Sequence, residues 1–151
     1  MMQHEGMKVT MLLADAVQAV EGKLYIRGGG WSIIGPEPTP VAIAIKVEVS
    51  WTEANHRHEL QLALQDEDNK PVMVPTPIGD RPVELKVNFE VGRPPGMKVG
   101  TPLDVPLAIN LGSLPLQPGY HYVWRCSVYG QSELDWQVSF STRPTERPTN
   151  A

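Results

Sequence analysis

VAIAIKVEVS, residues 41–50, sets Val41, Ile43, Ile45, Val47 and Val49 against Ala42, Ala44, Lys46, Glu48 and Ser50. A period of two sends alternate side chains to opposite faces of a strand, and β-branched residues pack well there. The segment therefore reads as a strand with one apolar face. The same alternation recurs downstream. Residues 58–65 turn Leu60, Leu62 and Leu64 one way, and residues 83–91 do the same with Val83, Leu85, Val87, Phe89 and Val91. Val105, Leu107, Ile109 and Leu111 form another row, in which Pro106 implies an edge position or a bulge. Tyr122, Trp124 and Cys126 make a late strand, and Trp136, Val138 and Phe140 a final one. Upstream, Met7, Val9, Met11 and Leu13 line one side of a first strand, and residues 16–22 read as a connection with room for one helical turn.

The stretch GKLYIRGGGWSI, residues 22–33, carries a break in phase. Leu24 and Ile26 are even-numbered, Trp31 and Ile33 odd-numbered, and Gly28, Gly29 and Gly30 lie between them. One extra residue inside a strand is a bulge, and glycine tolerates the positive φ that one bulge type needs. The expectation is a single bulged strand with a structural role for Gly28, Gly29, Gly30 and Trp31. A phosphate cradle needs a helix directly after its glycines, whereas here Gly35-Pro36-Glu37-Pro38 follows a β-like segment.

The connections carry turn chemistry. Ser50 and Glu53 have capping-box spacing, which predicts a short helical turn over residues 52–57. Residues 66–70 form a charged turn, and Pro71 and Pro75 confine Val72 to Val74 to an edge strand or an extended loop. Leu116-Gln117-Pro118-Gly119 before Tyr122 is the pattern of the tyrosine corner that precedes a late strand in immunoglobulin-like sandwiches, with Tyr120 the second candidate for the role. These signals predict an all-β chain: a single antiparallel β-sandwich, immunoglobulin-like or fibronectin-like, with about 8–9 strands. The expected domain spans residues 7–141, between an N-terminal extension (1–6) and a flexible C-terminal tail (142–151). Tyr122 and Trp124 are its expected structural landmarks.

Charge and composition narrow the chemistry. With 13 basic and 17 acidic residues the net charge is −4, and no basic run supplies the footprint of a nucleic-acid binder. No apolar run approaches the roughly 20 residues of a membrane helix. The single cysteine, Cys126, cannot form an internal disulfide, and its place in an apolar row predicts a buried thiol. His56 and His58 have the spacing of a two-ligand strand site but lack a recognisable third ligand, so bonding to backbone at a strand end is the expectation. Asp66, Asp68 and Asn69 lack the glycine and distal glutamate of a calcium loop. No Gly-x-Ser-x-Gly elbow positions a nucleophile. The expectation is a non-enzyme with no metal and no cofactor.

Residues 92–103, GRPPGMKVGTPL, form a long loop at one end of the sheets. Met97 and Val99 within it, flanked by Arg93 and Lys98, either dock on a partner or fold over the core.

MKVTMLLADAVQ (7–18), GKLYIRGGGWS (22–32), residues 51–58, FEVGRPPG (89–96), GTPLDVPLAINLG (100–112) and LPLQPGYHYVWR (114–125) together resemble a family of small actinobacterial and actinophage proteins known only as a domain of unknown function. The resemblance implies a compact all-β fold and a phage or prophage setting, and it transfers no activity or catalytic residue. The function expected on these grounds is binding of protein, as a minor structural or capsid decoration component of an actinophage particle. Alternatives are a phage-encoded modulator that binds a host protein, and a small hydrolase or carbohydrate-binding module. The partner is expected to be a phage structural protein or a host protein, with no nucleic acid and no membrane, and a homo-oligomer is compatible with the sequence. The corresponding locations are the host cytoplasm during synthesis and the virion.

Overall fold

The computed structural model describes residues 6–133 and 135–145. The expected N-terminal extension and C-terminal tail therefore fall mostly outside the described residues. Five strands occupy the first third of the chain: β1 (Met7–Ala14), β2 (Ala16–Val20), β3 (Lys23–Arg27), β4 (Ile33–Ile34) and β5 (Pro40–Val49). The middle holds β6 (His58–Asp66), β7 (Met73–Thr76), β8 (Gly79–Pro82) and β9 (Glu84–Phe89). Then follow β10 (Leu103–Ser113), β11 (His121–Val128) and β12 (Gln137–Thr142).

A three-stranded sheet has the order β1-β5-β10 and a five-stranded sheet the order β4-β12-β11-β6-β9; β2-β3 and β7-β8 are separate hairpins. All pairs are antiparallel except β4 with β12, which is parallel. The chain is thus all-β, with twelve strands among the described residues rather than eight or nine. The extra strands come mainly from the two hairpins. Residues 16–20, expected to connect and to turn once as helix, pair instead as β2 with β3. Val74, expected on an edge strand or loop, pairs with Arg81 across the second hairpin.

The alternation of β5 is reflected directly in burial. Val41, Ile43, Ile45, Val47 and Val49 share one core cluster with Leu60, Leu62 and Leu64 of β6 and with Trp124, Cys126 and Val128 of β11. The three-stranded and five-stranded sheets therefore cover one another's apolar faces, removing about 25 cal/mol of unfavourable hydration for each Å². Ala42 and Ala44, on the opposite face of β5, are also buried, in a second cluster with Ala14 and Val17. Small side chains there let the β2-β3 hairpin lie against the sheet as a third layer. Lys46 and Glu48, further along β5, lie on the uncovered part of that face.

The phase break at the glycines marks a change of sheet, not a bulge. β3 ends at Arg27 in its hairpin, and Ile33 pairs with Ser141 in the five-stranded sheet. Past the glycines the buried residue is Ile34, while Ile33 is 54 % exposed, so the inward row expected through Trp31 and Ile33 is not formed. Gly28 (φ 59°) and Gly30 (φ 92°) supply the left-handed turns of the crossing, and Gly30 N donates to Leu13 O at 2.7 Å. Gly29 is constrained by space, since a Cβ there would come within 2.5 Å of Ile26 Cγ2. Trp31 then meets Phe140 edge-to-face at 5.8 Å between ring centroids. A real irregularity lies in β10, where the register with β5 shifts between Asn110 and Gly112.

Ser50 precedes a single 3-10 turn, Trp51–Glu53, but makes no side-chain cap bond to it. Its hydroxyl lies 3.2 Å from Thr52 Oγ1 instead, so the expected capping box is not formed. At the other end of the molecule, Tyr122 Oη accepts a hydrogen bond from Gln117 N at 2.8 Å, the corner geometry. Thr142 closes the same region by donating to Gln117 O at 2.6 Å and accepting from Tyr120 N at 3.0 Å. Just beyond it, Arg143 N donates to Ile34 O at 2.8 Å. Tyr122→Phe keeps the ring and strands the Gln117 N–H. We expect a loss of about 1–2 kcal/mol in a urea titration, and an unchanged midpoint would mean that water replaces the bond at no cost.

Burial pushes the Cys126 thiol up from 9.0 to about 12. The folded state then holds a proton that the unfolded state loses above about pH 9, so this contribution to stability is complete below that pH and falls as pH rises towards 12. The slope is about 1.4 kcal/mol per pH unit over that window. Denaturant titrations of the wild type and Cys126→Ala between pH 8 and 11, roughly the window set by the thiol, should diverge, with the wild type losing stability faster; parallel curves would contradict it.

Candidate functional site

At one end of the molecule the close of β5, the start of β6, the close of β9 and the start of β10 come together. The 3-10 turn leaves β5 there and is tied down by His58, which is 2 % exposed. His58 Nε2 lies 2.9 Å from the Glu53 carbonyl, to which it donates, so Nδ1 accepts from Tyr129 Oη at 2.6 Å. Both ring nitrogens are engaged, and the ring packs on Phe89 at 5.4 Å between centroids. His56 lies 6.4 Å away, centroid to centroid. His58 therefore braces the strand end with both ring nitrogens engaged, while His56, expected to share that role, is exposed beside it. Burial, followed by the charge of Glu53, pushes the Tyr129 hydroxyl up, which keeps it a donor to His58.

The loop between β9 and β10 is fastened to the same turn. Arg93 donates to the Trp51 carbonyl from Nε at 3.1 Å and from Nη2 at 2.6 Å. Its guanidinium carbon also stands 4.9 Å from the centre of the Trp51 ring, a cation–π arrangement. Further along, Thr101 donates to Lys98 O through both N (3.1 Å) and Oγ1 (2.6 Å). Met97 N bonds Pro94 O at 3.3 Å. Between these ties Val99 is 78 % exposed and Met97 44 %. Of the four residues expected to meet a partner, Arg93 thus lies back across Trp51 as a solvent-exposed clamp, and Met97 and Val99 form an apolar tip. Lys98 is exposed beside them.

Sequence reasoning missed a concavity elsewhere on the surface. A cleft of about 550 Å³ lies on the outer face of the five-stranded sheet, between β11, β12 and the turn after β6. Its central feature is Arg125, which donates from Nε to Gln65 Oε1 at 2.7 Å, from Nη1 to Gln137 Oε1 at 2.5 Å, and from Nη2 to Asn69 Oδ1 at 3.3 Å. His121 Nδ1 and Ser141 Oγ are 2.6 Å apart at the other end. In sequence these residues are only the polar half of an alternation, which carries no sign that the face is concave. The nearby Asp66 does not present a calcium cradle: its Oδ1 accepts from Asp68 N at 2.9 Å and Lys70 N at 3.0 Å, closing a turn. Among the described residues no group of three or more His, Cys, Asp or Glu is placed to hold a metal.

A protein-family model matches residues 9–139, nearly the whole of this architecture. The chain belongs to DUF6941, a family of unknown function. No curated protein and no solved structure matches it. Within this DUF6941 chain, no described helix is long and apolar enough to cross a membrane. The sheet order, the clamped loop and the cleft are therefore the features from which function has to be argued.

Proposed function

We propose that the chain is a non-enzymatic, immunoglobulin-like β-sandwich that binds a protein through the tip of the loop between β9 and β10. The carrying observation is the Arg93 clamp on Trp51, which holds a loop whose outermost side chain, Val99, is 78 % exposed. A loop already ordered by its own bonds loses little freedom on binding, so burying Met97 and Val99 would yield net affinity. Strand order supports the immunoglobulin-like reading. β1, β5 and β10 correspond to strands A, B and E of one sheet, and β12, β11 and β6 to G, F and C of the other. Tyr122, near the start of F, matches the corner tyrosine of such sandwiches, and Trp124, two residues on, stands where an antibody domain carries its second disulfide cysteine.

The setting we propose is an actinophage particle, with this chain as a minor structural or decoration component; its resemblance to actinophage proteins supports that choice. A photocrosslinking residue at Val99, introduced in phage-infected cells, should capture one phage structural protein, whereas the same residue at Glu84 on β9 should not. Equal capture at both positions, or none at Val99, would refute the loop-tip reading. Mass spectrometry of purified virions addresses the setting separately: absence of the chain from particles removes the decoration role, and capture of a host protein by Val99 would point to a modulator instead.

A further inference from the structure

The edges of the two large sheets are unequally protected, and the difference selects one of them. In an antiparallel strand the N–H and C=O of alternate residues point to the same side. Gly6 O accepts from Ser50 N at 2.7 Å, so even-numbered residues of β1 turn their backbone groups towards β5. Leu13 O, on the opposite side, accepts from Gly30 N. The N–H and C=O of Met7, Val9 and Met11 therefore lie along the free edge of β1, without a hydrogen-bond partner among the described residues.

The other edges each carry a device against strand addition. In β10, Leu103, Val105, Leu107 and Ile109 bond β5, which leaves Pro106 facing outward with no N–H to offer, and the strand is bulged further on. β4 is two residues long. β9 turns the backbone of Glu84, Lys86 and Asn88 outward, because Val83 O accepts from Leu64 N. Two copies paired about its centre would set Lys86 against the partner's Lys86. Like charges directly opposite are unfavourable.

β1 has no proline, no bulge and no such clash. Two copies paired antiparallel about Val9 set Val9 opposite the partner's Val9, Met7 opposite the partner's Met11, and Lys8 opposite the partner's Thr10. Only residues 7–11 take part, so the Leu13 to Gly30 bond is undisturbed. Met7 and Met11 are half-buried and pack against the core. A partner strand would continue their apolar row. We propose that two copies of this chain associate through β1, joining two three-stranded sheets into one continuous sheet across a two-fold axis. This does not rest on the loop-tip reading, which concerns a different element.

The test uses the protein's own β10 device. Met11→Pro removes an outward N–H and spares the pairing of β1 with β5, whereas Thr10→Pro removes an inward one. Light scattering coupled to size exclusion should find the wild type dimeric at micromolar concentration and Met11→Pro monomeric but folded, its thermal midpoint lowered modestly by the lost association and the trimmed Met11 packing. Thr10→Pro should lower the midpoint further, which verifies the assignment of sides. A variant carrying both Lys8→Cys and Thr10→Cys, exposed positions that oppose one another across the pairing, should form a covalent dimer on mild oxidation, since opposed Cα atoms about 4.5 Å apart can be bridged and the native Cys126 is buried. A monomeric wild type, or a folded Met11→Pro that stays dimeric, overturns the proposal.

Discussion

Trp124→Ala should cost about 3–5 kcal/mol in a denaturant titration, a large part of the roughly 5–15 kcal/mol that stabilises a domain. Trp124 is 0 % exposed and is the largest fully buried side chain among the described residues. It sits in β11 between Leu64 of β6 and Val138 of β12. Truncation would leave a cavity between the two sheets, where paired strands on either side cannot collapse inward without breaking their ladders. Trp124→Phe separates volume from chemistry. The indole Nε1 is buried without a hydrogen-bond partner among the described residues. Phenylalanine would remove that stranded donor while losing only part of the ring, so its cost should be well under that of alanine. An alanine variant within about 1 kcal/mol of the wild type would contradict the central placement of the indole.

Asn110→Ala should release the β2-β3 hairpin at a cost of about 2–4 kcal/mol. Asn110 Oδ1 accepts from Val17 N at 3.1 Å and its Nδ2 donates to Val17 O at 2.9 Å, so one side chain acts as a short partner strand for β2. Val17 is only 4 % exposed, and removing the amide would leave both of its backbone groups unsatisfied away from water. Amide hydrogen exchange checks this locally. Protection of residues 16–26 should fall sharply while that of β5, β6 and β11 holds. Asn110→Asp keeps the acceptor and loses the donor, and should lie between the two. Uniform loss of protection throughout the chain would mean that the hairpin is integral to the core instead of a layer docked on it.

Parts of the site were legible and parts were not. The position of the 92–103 loop and the apolar character of Met97 and Val99 can be read directly from composition. That Arg93 would fold back onto Trp51 cannot, because the two are 42 residues apart and neither belongs to a recognisable local motif. His58 was ambiguous for the same reason: its phase with Leu60 and Leu62 indicated an inward ring, and only the arrival of Tyr129 and Glu53 decided that both nitrogens would be bonded. The Arg125 cleft left no trace in the pattern, since its glutamines, asparagine and serines come from three separate stretches of chain.

Strand identity was written along the chain, because alternation of apolar and polar residues every second position is a local property of an extended backbone with one dry face. β5, β6, β9, β10, β11 and β12 were recognisable on that basis, as was the corner ahead of Tyr122. Membership of a sheet was a tertiary decision. Gly28 to Gly30 could equally have kinked one strand or handed the chain from a hairpin to another sheet, and the choice was made by Leu13, Phe140 and Ser141, residues that meet this stretch only once the two layers have closed. Hydrogen-bond pairing between distant strands depends on what else competes for each edge, and that competition exists only in the folded molecule.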